Sequence, residues 1–352
     1  MDANGLEGVV LKKQANFAWL TAGGCNRVGL ATEAGVTTLL VTKTGRYVIA
    51  SRIEMQRMLV EESLAELGFE PLEHEWFVDR DAELVRKIVP SGGKVGSDTD
   101  SKDFCMMESE IRRLRYVLTP PEIERFKFLG EKASVAVEKV MLGARQGDSE
   151  LEIAGRVGPE LWKEGIDLPG LLVAADERIF AYRHPIPTSK MLRRQLMVAV
   201  NARYMGLILS LTRMLHIGRP SVALAKQFEN NLAVECRMIS ATRPGAPLLA
   251  PFDAARAAYA ELGAADEWQL HHQGGAIGYA GREFKVTPTS RGVVADQQAF
   301  CWNPSITGTK TEDSFIATQT GPVMLSRPIA FPAVKIEVDG NIFTRPGLLI
   351  ND

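Results

Sequence analysis

The first hundred residues carry short apolar runs of strand length. "VGLATEAGVTTLLVTKTGRYVIAS", residues 28–51, holds two β-rich pieces interrupted at Glu33-Ala34-Gly35 and at Lys43-Thr44-Gly45-Arg46. From Ile53 to Leu67 the spacing becomes helical, with Met55, Met58, Leu59 and Leu67 on one face. "VPSGGKVGSD" then reads as a turn and a strand. This small α/β unit closes near "RRLRYVLTPPEIE", where two prolines open a new element.

The pattern beyond Pro121 predicts a long helix to about Leu142 and a second over Glu150 to Lys163. Strand-like runs follow at Leu168–Ala174, Met197–Asn201 and Met205–Leu215. Helices return over Ser221–Ile239 and Phe252–Leu262, and the chain ends β-rich in "PAVKIEVDGNIFTRPG". Within this larger part Arg145, Gly147 and Gly165 are echoed by Arg243, Gly245 and Gly263, each 98 positions later. Both stretches read as helix, glycine turn, helix, glycine stop, and a strand. Glycine terminates a helix readily because it accepts the left-handed conformation there. The expectation is an internally duplicated α-α-β domain. The organisation is therefore α/β (α+β) in two domains, residues 1–114 and 115–352.

Composition narrows the function classes. Apolar residues make up 45% of the 352 positions, charged residues 24%, and the formal net charge is -2. That balance is ordinary for a globular protein and offers no basic surface for nucleic acid. No apolar run is long enough to cross a bilayer, so no membrane partner is expected. "MDANGLEGVVLKKQ" lacks the basic-then-apolar pattern of a signal peptide, and a cytoplasmic location is the expectation. Cys25, Cys105, Cys236 and Cys301 are widely scattered, which suits free buried thiols better than disulfides or a zinc knuckle.

The densest chemistry lies in "HHQGGAIGYAGREF", residues 271–284, where two histidines run into a glycine-rich turn. His271 and His272 could be offered as metal ligands, but on local pattern they better suit a strand placing one ring in the core and the other in solvent. Further motifs are "AYRHPIPT" around His184, "MVAVNARYMGLILSLTRML" and "CWNPSITGTKTEDSFIATQTG". Together with "LRYVLTPPEIERFKFLGEKA", their order and spacing resemble the creatinase, prolidase and aminopeptidase P superfamily. The resemblance covers nearly the whole chain. It implies the pita-bread fold with a small N-terminal domain, and a homodimer.

Metal-dependent members of that superfamily hold two divalent ions on two aspartates, a histidine and two glutamates. Those ligands fall here on Asn201, Ser210, Gly275, Asn303 and Glu312, so one carboxylate remains. Two adjacent dications require several anionic oxygens. The expectation is no metal and no other cofactor. The resemblance to creatinase, which lacks metal, implies that His184 moves protons; imidazole titrates near neutrality and can serve as base and then acid. Arg282 stands where the family has a substrate-facing histidine, and its guanidinium suits a carboxylate; pairing with Glu283 is the structural alternative. Glu312, freed of metal, is an auxiliary base or an anchor for a cation, or else a carboxylate tied to Lys310 or Arg213. Asn201, Ser210 and Asn303 offer neutral hydrogen bonds to a substrate. In the N-terminal domain, Asn26 and Arg27 are the nearest candidates for substrate contacts.

The reading that follows is a metal-independent, creatinase-like hydrolase or lyase for a small substrate bearing nitrogen and a carboxylate. Two alternatives stand beside it. One is a catalytically inactive pita-bread protein that binds a peptide or protein. The other is an Xaa-Pro peptidase with an unusual metal site.

Overall fold

A computed structural model describes residues 1–351. The chain divides into two compact units, Met1–Arg115 with Met205–Leu207, and Tyr116–Tyr204 with the chain from Ile208 on.

The first unit is built on a six-stranded sheet. Its strands run in the order Glu70–His74, Arg46–Ser51, Ala34–Thr42, Gly8–Lys13, Val95–Ser97 and Cys105–Met106. Alternation along these strands feeds two separate apolar layers. Leu11, Leu39 and Val48 pack with Met55 and Met58 of the helix Arg52–Val60. Their neighbours Val10, Leu40 and Ile49 pack with Val85, of the helix Asp81–Ile88, and with Val89. A sheet covered on both faces explains why its strands read as apolar runs rather than as strict alternation. The helix expected to reach Leu67 stops at Val60, and the positive φ of Ser63 keeps it from continuing.

In the second unit the helix Pro120–Leu142 begins with a capping box, in which Thr119 and Glu122 exchange backbone bonds. The helix Glu150–Trp162 starts the same way at Ser149 and Glu152. A four-stranded sheet orders Leu349–Asn351, Leu207–Ile217, Gln195–Tyr204 and Asp167–Ala175. A five-stranded sheet orders Phe284–Lys285, Gly274–Ala276, Gln298–Trp302, Asp313–Ala317 and Val323–Met324.

The duplication expected from the 98-residue echo appears in the backbone. Gly147 and Gly245 have φ of 91° and 85°, and Gly165 and Gly263 have φ of 70° and 73°. Gly147 donates its N–H to the Leu192 carbonyl and Gly245 to the Val294 carbonyl. The two α-α-β passages thus repeat their turns, angle by angle. The two sheets meet where Thr212 bridges to Glu312, which places the centres of both β systems against one cavity.

Candidate functional site

That cavity has a volume of about 230 Å³ and is lined by residues from both sheets and their loops. Asn201 faces Gly170 across the strand pair. A β-carbon at Gly170 would stand 2.6 Å from Asn201 Nδ2, so the glycine makes room for the amide. Ser210 Oγ donates to Asn201 Oδ1 at 2.6 Å. Two positions on, Thr212 shares the face of Ser210. It donates its N–H to the Glu312 carbonyl at 2.9 Å and its hydroxyl to Glu312 Oε2 at 2.7 Å.

Glu312 is buried and fully engaged. Arg282 Nη2 lies 3.1 Å from Oε1, and Lys310 Nζ lies 3.0 Å from Oε2. Burial alone would raise this carboxyl, but Lys310 and Arg282, helped by the Thr212 hydroxyl, outweigh it and hold the group at about 2. Arg282 also donates to the Gly281 carbonyl at 2.7 Å and to Ser210 Oγ at 3.3 Å, while its Nε has no partner. Two cations against one carboxylate leave this wall with a net positive charge. The back of the same strands carries a second charge cluster. Arg213 pairs with Glu138 and Asp313, each at 2.9 Å, and Arg345 pairs with Asp313 at 2.8 Å and Glu235 at 2.6 Å.

Three imidazoles form the opposite part of the site. His184 sits in the loop after the helix Glu177–Ala181, and Arg183 fastens that loop. Arg183 reaches Glu267 at 2.6 Å, Thr307 at 2.7 Å and Ser305 at 3.0 Å. His271 Nε2 lies 3.0 Å from His184 Nε2, and the His271 and His272 rings stack with centroids 4.4 Å apart. Gln273 holds the turn by donating to the His271 carbonyl at 2.6 Å and accepting from Tyr259 at 2.9 Å. His271 is buried, and His272 lines the cavity. Neither lies in a strand: both occupy the bend before Gly274–Ala276, where they turn to the same side instead of alternating. Burial and the Lys310 charge push His271 down to about 2, while burial and Arg282 push His272 down to about 3. Burial and Lys310 lower His184 as well. All three rings are neutral at neutral pH.

His184, Asn201, Arg282, Asn303 and Glu312 therefore line one cavity, with Ser210 one hydrogen bond behind Asn201 and Arg282. Asn303 is buried, and its Oδ1 has no partner. Asn26 and Arg27 belong to the first unit. The Asn26 amide is buried and donates to the carbonyls of Lys12 and Thr37, and Arg27 is half-buried. Sequence reasoning passed over Lys310 as a cavity cation, and Thr212 and Arg183 altogether. Lys310 and Thr212 were accessible in principle, since each sits two residues from a residue already singled out, Glu312 and Ser210, on an extended chain.

Comparison with known proteins fits this architecture. The profile of metallopeptidase family M24 matches residues 124–337. The chain belongs to this family. It is 22% identical over 347 residues to an Xaa-Pro dipeptidase from Pyrococcus horikoshii, covering 93% of this chain and 94% of that one. Among solved structures, the prolidase from Thermococcus sibiricus superposes with a TM-score of 0.80 at 19% identity, over 99% of this chain and 95% of that one. The Xaa-Pro dipeptidase from Bacillus anthracis gives 0.77 at 20% identity, over 99% and 96%. The fold is accordingly the two-domain, mixed α/β pita-bread architecture.

An M24 metallopeptidase implies a metal pair, and the residues here do not fit one. Both oxygens of Glu312 already hold organic cations. Asn201, Ser210 and Asn303 are neutral, and two of them hydrogen-bond to each other. A β-carbon at Gly275 would stand well inside van der Waals contact with the Phe284 carbonyl oxygen, so the backbone has closed over the histidine position. Two dications would face ammonium and guanidinium with one carboxylate between them.

Proposed function

We propose that this M24 member is a metal-independent, creatinase-like hydrolase cleaving a C–N bond in a small molecule that carries a carboxylate. The observation that carries this reading is the Arg282–Glu312–Lys310 array. It supplies fixed positive charge at the cavity wall and leaves Arg282 Nε and donors of Lys310 for a substrate anion. Glu312 serves as the anchor of these cations; at about 2 it stays ionised and is no base at working pH. Asn303 Oδ1, an acceptor without a donor, suits an N–H of the substrate.

His184 is neutral at neutral pH and stands at the cavity with its Nε2 against His271. It takes the proton of an attacking water as the oxygen bonds to carbon, then delivers it to the departing nitrogen. The relatives named as Xaa-Pro dipeptidases make dipeptides one class to include among the substrates tried.

The test is a screen of guanidino, carbamoyl, amino-acid and Xaa-Pro compounds with chelator present. Turnover in chelator is expected, with a loss of about 10²- to 10⁴-fold in His184→Ala. Turnover that needs an added dication, or that survives His184→Ala intact, overturns the reading.

A further inference from the structure

We infer that His184, His271 and His272 form a binding site for a single borderline transition-metal ion such as Zn²⁺, distinct from the carboxylate-bridged metal pair of the family. Five histidines occur in the chain. The other two are each satisfied by the backbone: His74 Nδ1 meets the Glu75 carbonyl at 2.9 Å, and His216 Nδ1 meets the Gly218 carbonyl at 2.8 Å. The three at the cavity are different. Among the described residues, the one hydrogen bond their rings make is to each other, between His184 and His271. The Nδ1 atoms of His271 and His272 are buried without a partner. Among the described residues the histidine that meets a carboxylate is His74, at Asp81, so ion pairing does not account for the convergence of these three rings.

One nitrogen from each ring lies within 4.8 Å of the other two, and the closest pair is 3.0 Å apart. Zinc–nitrogen bonds of about 2.0–2.1 Å set tetrahedral ligand atoms roughly 3.3 Å apart. The cluster is thus within a side-chain rotation of a three-imidazole site with a fourth position open to the cavity. The loops bearing the ligands are already tied together, through Arg183 to Glu267 and Thr307 and through Gln273 to the His271 carbonyl. That anchoring lowers the ordering cost of metal capture.

The chemistry of the donors selects the ion. Neutral imidazoles favour zinc, copper or nickel, whereas magnesium, calcium and manganese prefer oxygen. Glu312 is withheld from the ion by Lys310 and Arg282, which leaves a nitrogen-only first set of ligands. The same two cations weaken the attraction for any dication and favour a site that loads reversibly. Under the acid–base role proposed above, an ion here takes the His184 Nε2 lone pair out of proton transfer and so inhibits. The site itself does not depend on that role.

The test uses the full chain, stripped with chelator and titrated with Zn²⁺ by calorimetry, and with Co²⁺ by visible absorption. One Zn²⁺ per chain and tetrahedral Co²⁺ bands are expected, and Mn²⁺ should not compete. His271→Gln and His184→Gln should each weaken Zn²⁺ by at least about tenfold, while His74→Gln and His216→Gln leave it unchanged. His184 is exposed, so its variant reads the site even where the buried His271 substitution impairs folding. Absence of Zn²⁺ binding, binding indifferent to both triad variants, or displacement by Mn²⁺ overturns the inference. Because the readout is occupancy, its failure leaves the catalytic reading standing, and the reverse also holds.

Discussion

Thr212 and Glu312 are joined twice, backbone to backbone at 2.9 Å and hydroxyl to carboxylate at 2.7 Å. The first bond links the two sheets, and the second orients the carboxylate that holds both cavity cations. Replacing Thr212 by valine keeps the first and removes the second. A hydrogen bond to a buried charge contributes about 1.5–3 kcal/mol. Thr212→Val should lose that much in urea denaturation, and Thr212→Ser should recover most of it. Equal losses in both would show that the hydroxyl is immaterial.

Restoring the family's histidine should damage the fold rather than revive a metal centre. At Gly275 the obstacle is the β-carbon itself, set against the Phe284 carbonyl. Gly275→Ala and Gly275→His should therefore both be destabilised, by about 1–3 kcal/mol or more. An alanine variant as stable as the wild type would mean that the strand yields easily.

The imidazole cluster predicts acid sensitivity. His271 is held at about 2 in the folded chain against an ordinary 6.5 when unfolded. Below about pH 6.5 the unfolded chain takes up a proton that the folded chain refuses, so stability falls with pH from there toward about 2. Glu312, lowered to about 2 from 4.5, contributes stability that is present above 4.5 and lost between there and about 2. Unfolding free energies measured from pH 8 to pH 4 should decline below 6.5. His271→Gln should flatten that decline by up to about 1.4 kcal/mol per pH unit. An unchanged slope would place the titration elsewhere.

Arg213 is enclosed with Glu138 and Asp313 and has no exposure to solvent. Glu138 also receives the backbone N–H groups of Ile329, Ala330 and Phe331. Arg213→Met leaves the buried Glu138 without its cation and Asp313 with Arg345 alone, which costs about 3–5 kcal/mol. A fall of that size in thermal or denaturant melts is expected, and a near-neutral result would show that the carboxylates take up protons without strain.

The large features were legible in the chain because each rests on local chemistry. The helices from Pro120 and Glu150 announce themselves through capping residues and period, and the 98-residue echo survives as matched left-handed glycines. Asn201, Arg282, Asn303 and Glu312 could be brought together only through the family resemblance, since 111 positions separate Asn201 from Glu312. The short strands around the site, such as Gly274–Ala276 and Thr309–Lys310, were not legible. Two or three residues carry no period. The tie between Glu312 and Lys310 was legible, since the two lie two residues apart on an extended chain, but that the lysine lines the cavity was not. The convergence of His271 and His272 depends on a bend, where strand alternation no longer applies.

The charge cluster behind Thr212 and Glu312 has a consequence for how this molecule can change. Arg213 and Asp313 lock the same two strands from the far side, one residue out of phase with the cavity wall. The strands keep their places whatever their cavity-facing side chains become. The pocket lining is consequently a writable surface on a fixed frame, open to new chemistry by substitution at alternate positions.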